Sequence, residues 1–493
     1  MAIPSMSIAW ERPLERRLGE LISKLPLELD PSVAELPISG ICEDSRQVHP
    51  GDLFVALPGT RTDGAVFAAQ AVECGAVAVV AEQMLELPVP CLVVDSSARA
   101  LAQLAAAFFN EPTSRLFVAA VTGTNGKTSV CHLARAALGS EATTVLGTVE
   151  NVERAISHLT TPSSRVIQQE AAKSVETGKQ YLLLEASSAG IVQHRLESVD
   201  LNVAVLTNLS TDHWAFHRSL AAYRDAKLSL FRSLAPHALA VLNAEEPLSD
   251  QVRRETAAST FTYGIDCRAD LMARDARLSP QETQCRVEWR GSSASLTLPL
   301  AGRTQLSNAL AALGVALAAG VPLDTAVARL GTVPAIPGRM QRLQDARGRV
   351  AIVDYAHNPA ALRVTLEQLR AEFDKIVLVF GAPGDGDTEK RRQMGRVAAE
   401  GADRIVLTSD NPRQENPSDI MREIASGMPS GACPVWISAR HEAIAAAERG
   451  LDARTVLLVA GKGHERVQWI GDAPVAHSDL DVLQELGFSA QSG

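Results

Sequence analysis

The chain has 493 residues, 46% of them hydrophobic and 21% charged, with a formal net charge of -10; this length holds about three domains of ordinary globular composition. The negative balance excludes sequence-independent nucleic-acid binding, which needs a basic surface, but not an anionic small molecule in a local basic pocket. Seven cysteines without CxxC spacing, an N-terminus without an apolar signal core and a longest apolar run (309–321) too short to span a bilayer lead to the expectation of a cytoplasmic enzyme without membrane insertion.

In chain order, residues 1–114 mix short strands at 53–57, 76–82 and 91–95 with a helix over 97–109, separated by HPGD and LPGT. A second block, 115–340, opens on VAAVTGTNGKTS (118–129), an apolar strand running into a Gly-rich turn and then a helix. It continues through strands at 181–187, 203–210 and 238–244, a helix at 219–233, a half-exposed hairpin at 286–300 and an Ala-rich helix at 307–319. GTVPAIPGRMQRL (331–343) reads as a linker. The third block, 341–493, repeats strand then helix, and the polar segments DYAHN, GAPGDGD, SDNPRQ and GKGHE follow its strand ends. The expected fold class is α/β with three domains: a small N-terminal α/β domain, a central parallel or mixed sheet carrying the phosphate loop, and a Rossmann-like doubly wound C-terminal domain.

The turn TGTNGKT (122–128) carries the most specific chemistry. Gly123 and Gly126 let backbone N–H groups approach phosphate oxygens, with Thr122, Thr124, Asn125 and Ser129 completing the loop. Lys127 supplies a point charge for the β- and γ-phosphates, and the Thr128 hydroxyl is a Mg²⁺ ligand. Val121 stands where the usual pattern has its first Gly, so the loop is a shortened variant. Glu185 closes the apolar run YLLLE, and a carboxylate at that strand end can hold Mg²⁺ against the nucleotide. Asp212 and His213 follow another buried strand; His213 suits a second divalent ion or is a plain loop residue. Lys227, alone on an amphipathic helix, reads as a solvated cation. Asn308, Arg339 and Asp354 lie near block junctions and either clamp the nucleotide or are surface groups.

Together these motifs resemble the Mur ligases, most closely the MurE type, which adds the third amino acid to the UDP-N-acetylmuramoyl peptide. Nearly the whole length takes part: EDSRQVHPGDLFVALPG, TGTNGKT, LTTP, LEASSAGIVQHRL, LTNLSTDHWAFH, AYRDAKLSLF, VLNAEEP, NALAAL, PGRMQRL, VDYAHNPAAL, TSDNPR and VAGKGHE. The resemblance implies ATP-dependent amide ligation, in which the substrate's carboxylate is phosphorylated, an amine attacks, and ADP and phosphate leave. It implies that Thr128 and Glu185 bind one Mg²⁺, and that Glu185, His213 and a carbamylated Lys227 serve a second. Asn308, Arg339 and Asp354 then fall on the adenosine side, and Ser45 with Thr60, Arg61 and Thr62 on the nucleotide-sugar side. Thr160, Thr161, Ser187, Gln193 and Arg195 match positions holding the muramoyl peptide. Asp410, Asn411, Pro412 and Arg413 match the DNPR form of enzymes adding meso-diaminopimelate, with Gly461 and Glu465 as further contacts. The implied partners are the UDP-muramoyl peptide and a small amino acid, acted on by a monomer.

Two positions depart from the family pattern. Ala189 replaces a His after the metal Glu, and Gly386, in GAPGDGD, replaces an Arg expected to bind the incoming amino acid's carboxylate. Either Lys390, Arg391 or Arg392 compensates, or the amine differs. The readings left open are the peptidoglycan enzyme, a paralogous ligase joining another carboxylate and amine, and a non-catalytic nucleotide-binding scaffold; retention of Lys127, Thr128, Glu185, His213 and Lys227 opposes the last.

Overall fold

The computed structural model describes residues 15–59, 62–210, 217 and 219–490. Near the N-terminus, Gly40–Cys42, Asp52–Val55, Ala78–Ala81 and Cys91–Val93 form a parallel four-stranded sheet. The helix Ser97–Phe108, capped by the Ser96 side chain, packs Leu101, Leu104 and Phe108 against it.

The central sheet has nine strands, and the phosphate loop follows one of its inner ones, Phe117–Thr122, flanked by Val203–Leu206 and Tyr181–Glu185 in parallel register. Such a strand is buried on both faces, which explains its unbroken apolar run. Ala119 and Val121 join one core layer with the helices Lys127–Leu138 and Arg303–Ala318. Val118 and Ala120 join the opposite layer, with Ser164–Glu176 and Leu220–Arg232. At the far edge the sheet turns antiparallel through Thr283–Trp289 and Ser292–Leu298, the hairpin expected from their polar alternation.

The third sheet has seven strands; its parallel part runs Val435–Trp436, Arg404–Leu407, Lys375–Phe380, Thr455–Ala460, Val350–Asp354. The end of the anticipated linker is not a linker: Gln341–Gln344 pairs antiparallel with Val350–Asp354. A small hairpin, Val467–Ile470 with Ala473–Ala476, follows the GKGHE segment. The Ala-rich helix also begins earlier than its apolar pattern indicates, at Arg303. Gly302 precedes that helix with φ +100°, a chain reversal that sets its start.

Side-chain contacts tie the three sheets together. Glu43 accepts from Ser163 Oγ (2.6 Å) and Arg165 Nε (2.7 Å), joining the N-terminal sheet to the central body. Asn358 Nδ2 donates to Asn125 Oδ1 (3.0 Å), joining the third body to the phosphate loop.

Candidate active site

The phosphate loop is shaped by two positions that tolerate no side chain. Gly123 and Gly126 sit at φ +151° and +92°. A Cβ on them would fall 1.8 Å from Thr207 Oγ1 and 2.6 Å from Asn308 Oδ1 respectively. The loop is braced from the neighbouring strand end, with Asn208 Oδ1 accepting from the Asn125 N–H (3.0 Å) and Thr207 Oγ1 donating to the Asn125 carbonyl (2.6 Å). No side chain caps the helix that starts at Lys127, so its first N–H groups face the loop as an anion site. Lys127 Nζ folds over that loop, donating to the carbonyls of Gly123 (2.9 Å) and Thr124 (3.0 Å). Thr122 and Ser129 are buried at its two ends.

Glu185 ends its strand directly beside this loop and is buried. Thr128 Oγ1 donates to Glu185 Oε1 (3.0 Å); the Thr148 N–H donates to the same oxygen (2.7 Å) and the Thr148 hydroxyl to Oε2 (3.2 Å). A buried carboxylate costs several kcal/mol unless its lone pairs are satisfied, and these donors satisfy them. Arg339 Nη2, from the third body, donates to Thr128 Oγ1 (2.8 Å) while its guanidinium stacks 4.2 Å over the Tyr355 ring. Asp354 is buried beside it. Burial pushes its carboxyl above the usual range, opposed by N–H donation from Met340 (2.7 Å) and Ala356 (3.0 Å) and by the Arg339 charge. Asn308, Arg339 and Asp354 line one cavity of about 450 Å³ with Asn125, Lys127 and Glu185.

The residues expected to hold the acid substrate lie around the same residue, Glu185. Thr161 Oγ1 donates to the Glu185 carbonyl (2.7 Å), lies 2.9 Å from Ser187 Oγ, and accepts from the Ser187 N–H (2.9 Å). Thr160 Oγ1 lies 3.2 Å from the Thr148 hydroxyl. Arg195 Nη1 holds the Thr161 carbonyl (2.7 Å) and its other nitrogen takes Gln193 Oε1. The structure therefore gathers Lys127, Thr128, Glu185, Thr160, Thr161, Ser187 and Arg195 in one place.

The DNPR and GKGHE segments meet separately, at the carboxyl ends of Arg404–Leu407 and Thr455–Ala460. Asn411 Nδ2 donates to Glu465 Oε2 (3.0 Å). Lys462, fully buried, donates to both Asn411 Oδ1 (2.9 Å) and Glu465 Oε2 (2.7 Å). Asp410 and Pro412 are buried, and the Gly461 N–H donates to the Asp354 carbonyl (3.1 Å). Arg413 is exposed, with its guanidinium 4.9 Å over the Trp469 ring.

Several sequence expectations need correction or fall elsewhere. Ser45 and Thr62 stand apart in loops around the N-terminal sheet, Ser45 in the turn Ser45–Gln47 with its Oγ donating to Gln70 Oε1 (3.0 Å) and Thr62 exposed. Thr60, Arg61, Asp212 and His213 lie outside the described residues. Lys227 is not a solvated cation: it is buried, with Nζ 4.4 Å over the Tyr223 ring, and the Tyr223 hydroxyl donates to Thr124 Oγ1 (3.2 Å). Arg391 does not turn toward the amine side to replace the missing Arg. It is buried and donates to Glu415 (2.7 and 2.9 Å), Glu423 (2.7 Å) and the Pro383 carbonyl (2.8 Å). Arg392 is exposed on the next helix position, 4.0 Å from Glu389.

Thr148, Tyr355, Asn358, Lys462 and Trp469 escape a sequence reading. Only the flanking glycines of GKGHE hint at Lys462, and only the strand-end segment DYAHN at Tyr355 and Asn358; Thr148 and Trp469 sit in short elements without a period to mark them.

Family models match in three consecutive stretches: the Mur ligase family catalytic domain at 37–109, the Mur ligase middle domain at 121–316 and the Mur ligase glutamate ligase domain at 338–463. The chain belongs to the Mur ligase family. It is 38% identical over 95% of its length, and 97% of the relative's, to the UDP-N-acetylmuramoyl-L-alanyl-D-glutamate–2,6-diaminopimelate ligase of Gloeobacter violaceus. The enzyme of the same name from Listeria monocytogenes is 35% identical over 96% of this chain and the whole of that one. A solved structure of a ligase with that name superposes with a TM-score of 0.66 and 31% identity, covering 94% of this chain and 98% of the other. MurF from Acinetobacter baumannii, 24% identical with a TM-score of 0.66 over 91% and 96%, shares the fold. This Mur ligase is thus an enzyme of the ATP-dependent, ADP-forming amide ligase class. No helix among its described residues is long and apolar enough to cross a membrane.

Proposed function

We propose that this Mur ligase adds meso-diaminopimelate to UDP-N-acetylmuramoyl-L-Ala-D-Glu through an acyl phosphate, releasing ADP and phosphate. The observation that carries the reading is the double use of Glu185. Its side chain accepts from Thr128 of the phosphate loop (3.0 Å), and its carbonyl accepts from Thr161 of the acid-side segment (2.7 Å). In this reading a γ-phosphate on the loop and an acceptor carboxylate on the acid-side segment meet at the same strand end, which is the proximity that in-line phosphoryl transfer requires.

A carboxylate is a poor electrophile until one of its oxygens becomes a leaving group. Lys127 neutralises charge on the transferred phosphoryl group, while the loop N–H groups hold the phosphates that stay behind. The oxygen donors Thr128 and Glu185 fit Mg²⁺, being a hydroxyl and a carboxylate already 3.0 Å apart; the ion would supply charge neutralisation at the phosphates. His213 and a carbamylated Lys227 complete the proposed ligand set. Lys227 is buried, with its amine over the Tyr223 ring, and Tyr223 in turn bonds Thr124 of the phosphate loop, so the amine lies beside that loop and not in solvent. Asn308, Arg339 and Asp354 take the adenosine side.

The nucleotide sugar falls to residues 1–114, through Ser45 and Thr60, Arg61 and Thr62. Nucleotide and acid chemistry fall to 115–340. The amine falls to 341–493, through Asp410, Asn411, Pro412, Arg413, Gly461 and Glu465. The enzyme acts as a cytoplasmic monomer. Gly386 and Ala189 are the only observations on the side of a paralogue with other substrates, and kinship with diaminopimelate ligases along the whole chain does not favour it.

The test uses purified protein, ATP, the UDP-muramoyl dipeptide labelled with ¹⁸O in its terminal carboxylate, and meso-diaminopimelate. Label passes into the liberated phosphate, and both Lys127→Ala and Lys227→Ala abolish its release. Amide formed without label in phosphate overturns the acyl phosphate. Silence with meso-diaminopimelate and turnover with another amine overturns the substrate.

A further inference from the structure

Arg413 is held in a way that its neighbours in the DNPR segment are not. Its backbone is in the left-handed region (φ +55°), where a non-glycine residue persists only under surrounding constraint. That constraint comes from the hairpin after GKGHE. The Arg413 N–H donates to the Trp469 carbonyl (3.1 Å), and the Gly471 N–H donates to the Arg413 carbonyl (2.8 Å). The Trp469 ring then lies 4.9 Å beneath the Arg413 guanidinium. The Trp469 N–H in turn donates to Asn411 Oδ1 (3.0 Å), two residues earlier in the segment. No carboxylate among the described residues pairs with Arg413, whereas the exposed Arg392 and Arg422 of the same body each have one nearby.

An exposed guanidinium stacked on one face keeps its edge N–H donors directed outward in a fixed plane, the geometry that bidentate recognition of a carboxylate needs. Trp469 also meets the acid-side segment: the His158 ring lies 6.2 Å from it in a T-shaped arrangement, two residues before Thr160. Trp469 therefore sits where the amine segment and the acceptor segment adjoin.

We propose that Trp469 is a positioning residue for amine specificity, presetting Arg413 to receive the distal carboxylate of a diamino diacid and so to reject monocarboxylate amines. This rests on the substrate reading above. With Arg absent at Gly386, the carboxylate contact made through Arg413 carries a larger share of the discrimination.

The experiment measures KM and kcat for meso-diaminopimelate and for L-lysine in the full-length enzyme and in Trp469→Ala, Trp469→Phe, Arg413→Ala and the Trp469→Ala/Arg413→Ala double variant. Loss of the stacking face is expected to raise the meso-diaminopimelate KM about tenfold in Trp469→Ala, in line with an exposed cation–π contact plus lost preorganisation. The kcat and the KM for ATP stay within about twofold. Phe restores most of the loss because it keeps a π face. The Trp469 effect vanishes in the Arg413→Ala background, since the two act as one unit. An unchanged KM, a Phe variant as impaired as Ala, an equal rise in the ATP KM, or full additivity in the double variant each overturns the role of Trp469 while leaving the substrate reading intact. Wild-type enzyme that releases no phosphate with meso-diaminopimelate overturns both.

Discussion

At the scale of single residues, Gly386 separates this chain from the family pattern. The N–H groups of Asp385 and Gly386 both point at the Glu415 carboxylate, which Arg391 also holds. The loop is thus firmly fixed with no cation of its own offered to the amine. A Cβ on Gly386 would meet the Pro383 carbonyl at 3.2 Å, Arg391 Nη2 at 3.8 Å and the Gly384 carbonyl at 3.9 Å, so a side chain fits after a small shift. Gly386→Arg is therefore expected to lower the meso-diaminopimelate KM by roughly ten- to a hundredfold, the worth of one charge-assisted hydrogen bond. The kcat changes little. Steady-state phosphate release checks this, and an unchanged KM would show that the amine's carboxylate already has another donor. How such residues become readable differs with their surroundings. Glu185 is legible because an unbroken apolar strand ends on a carboxylate, which has no reason to be there unless something charged meets it. Lys227 is not, because a helix pattern gives a stripe but not what covers it, and the P-loop tyrosine contact lies almost a hundred positions away in sequence.

At the scale of elements, the helix Thr148–Glu153 does a task that no motif marks. Its first residue presents both a backbone N–H and a hydroxyl to Glu185, fixing the carboxylate plane toward Thr128. Gly147 allows this, since a Cβ there would lie 2.4 Å from Glu185 Oε1. The parallel strands carrying these residues could be read from their apolar runs, but the placement of a short helix start against a strand end is a long-range contact that local pattern does not encode. Thr148→Ala, which keeps the N–H and loses the hydroxyl, is expected to reduce kcat by roughly tenfold, one hydrogen bond to a charged group, and to raise the Mg²⁺ concentration for half-maximal rate. Thr148→Ser keeps both. A Mg²⁺ titration of the alanine variant that overlays the wild type would assign Glu185 its orientation from Thr128 alone.

At the scale of the whole molecule, the DNPR and GKGHE segments, the proposed amine segments, depend on an ion pair buried beneath them. Arg440 and Asp479 have side chains with no exposure. They meet through two 2.7 Å hydrogen bonds, and Arg440 also donates to the carbonyls of Ala460 (2.9 Å) and Ser409 (3.4 Å). Those two carbonyls immediately precede Gly461 and Asp410, so the pair fixes both amine segments to the sheet. Burial alone would raise the Asp479 carboxyl, but the Arg440 charge, its hydrogen bonds and His477 outweigh it and hold the group well below the ordinary value of 3.8. With the native value depressed, the native state binds fewer protons than the unfolded chain in acid. The contribution is therefore complete above about pH 3.8 and is lost as the pH falls below that toward the native value. Asp479→Asn leaves a buried guanidinium uncompensated, a loss of about 3–5 kcal/mol near neutral pH. Calorimetry from pH 8 down to pH 3 reads this in the transition of the third body, since three bodies need not melt as one. The gap in Tm between wild type and variant should stay constant down to about pH 4 and narrow below it. Coincident transitions at neutral pH would mean that Arg440 is held by the two carbonyls alone, and that the amine segments are fixed from above, by Lys462 and Asn411, rather than from the core.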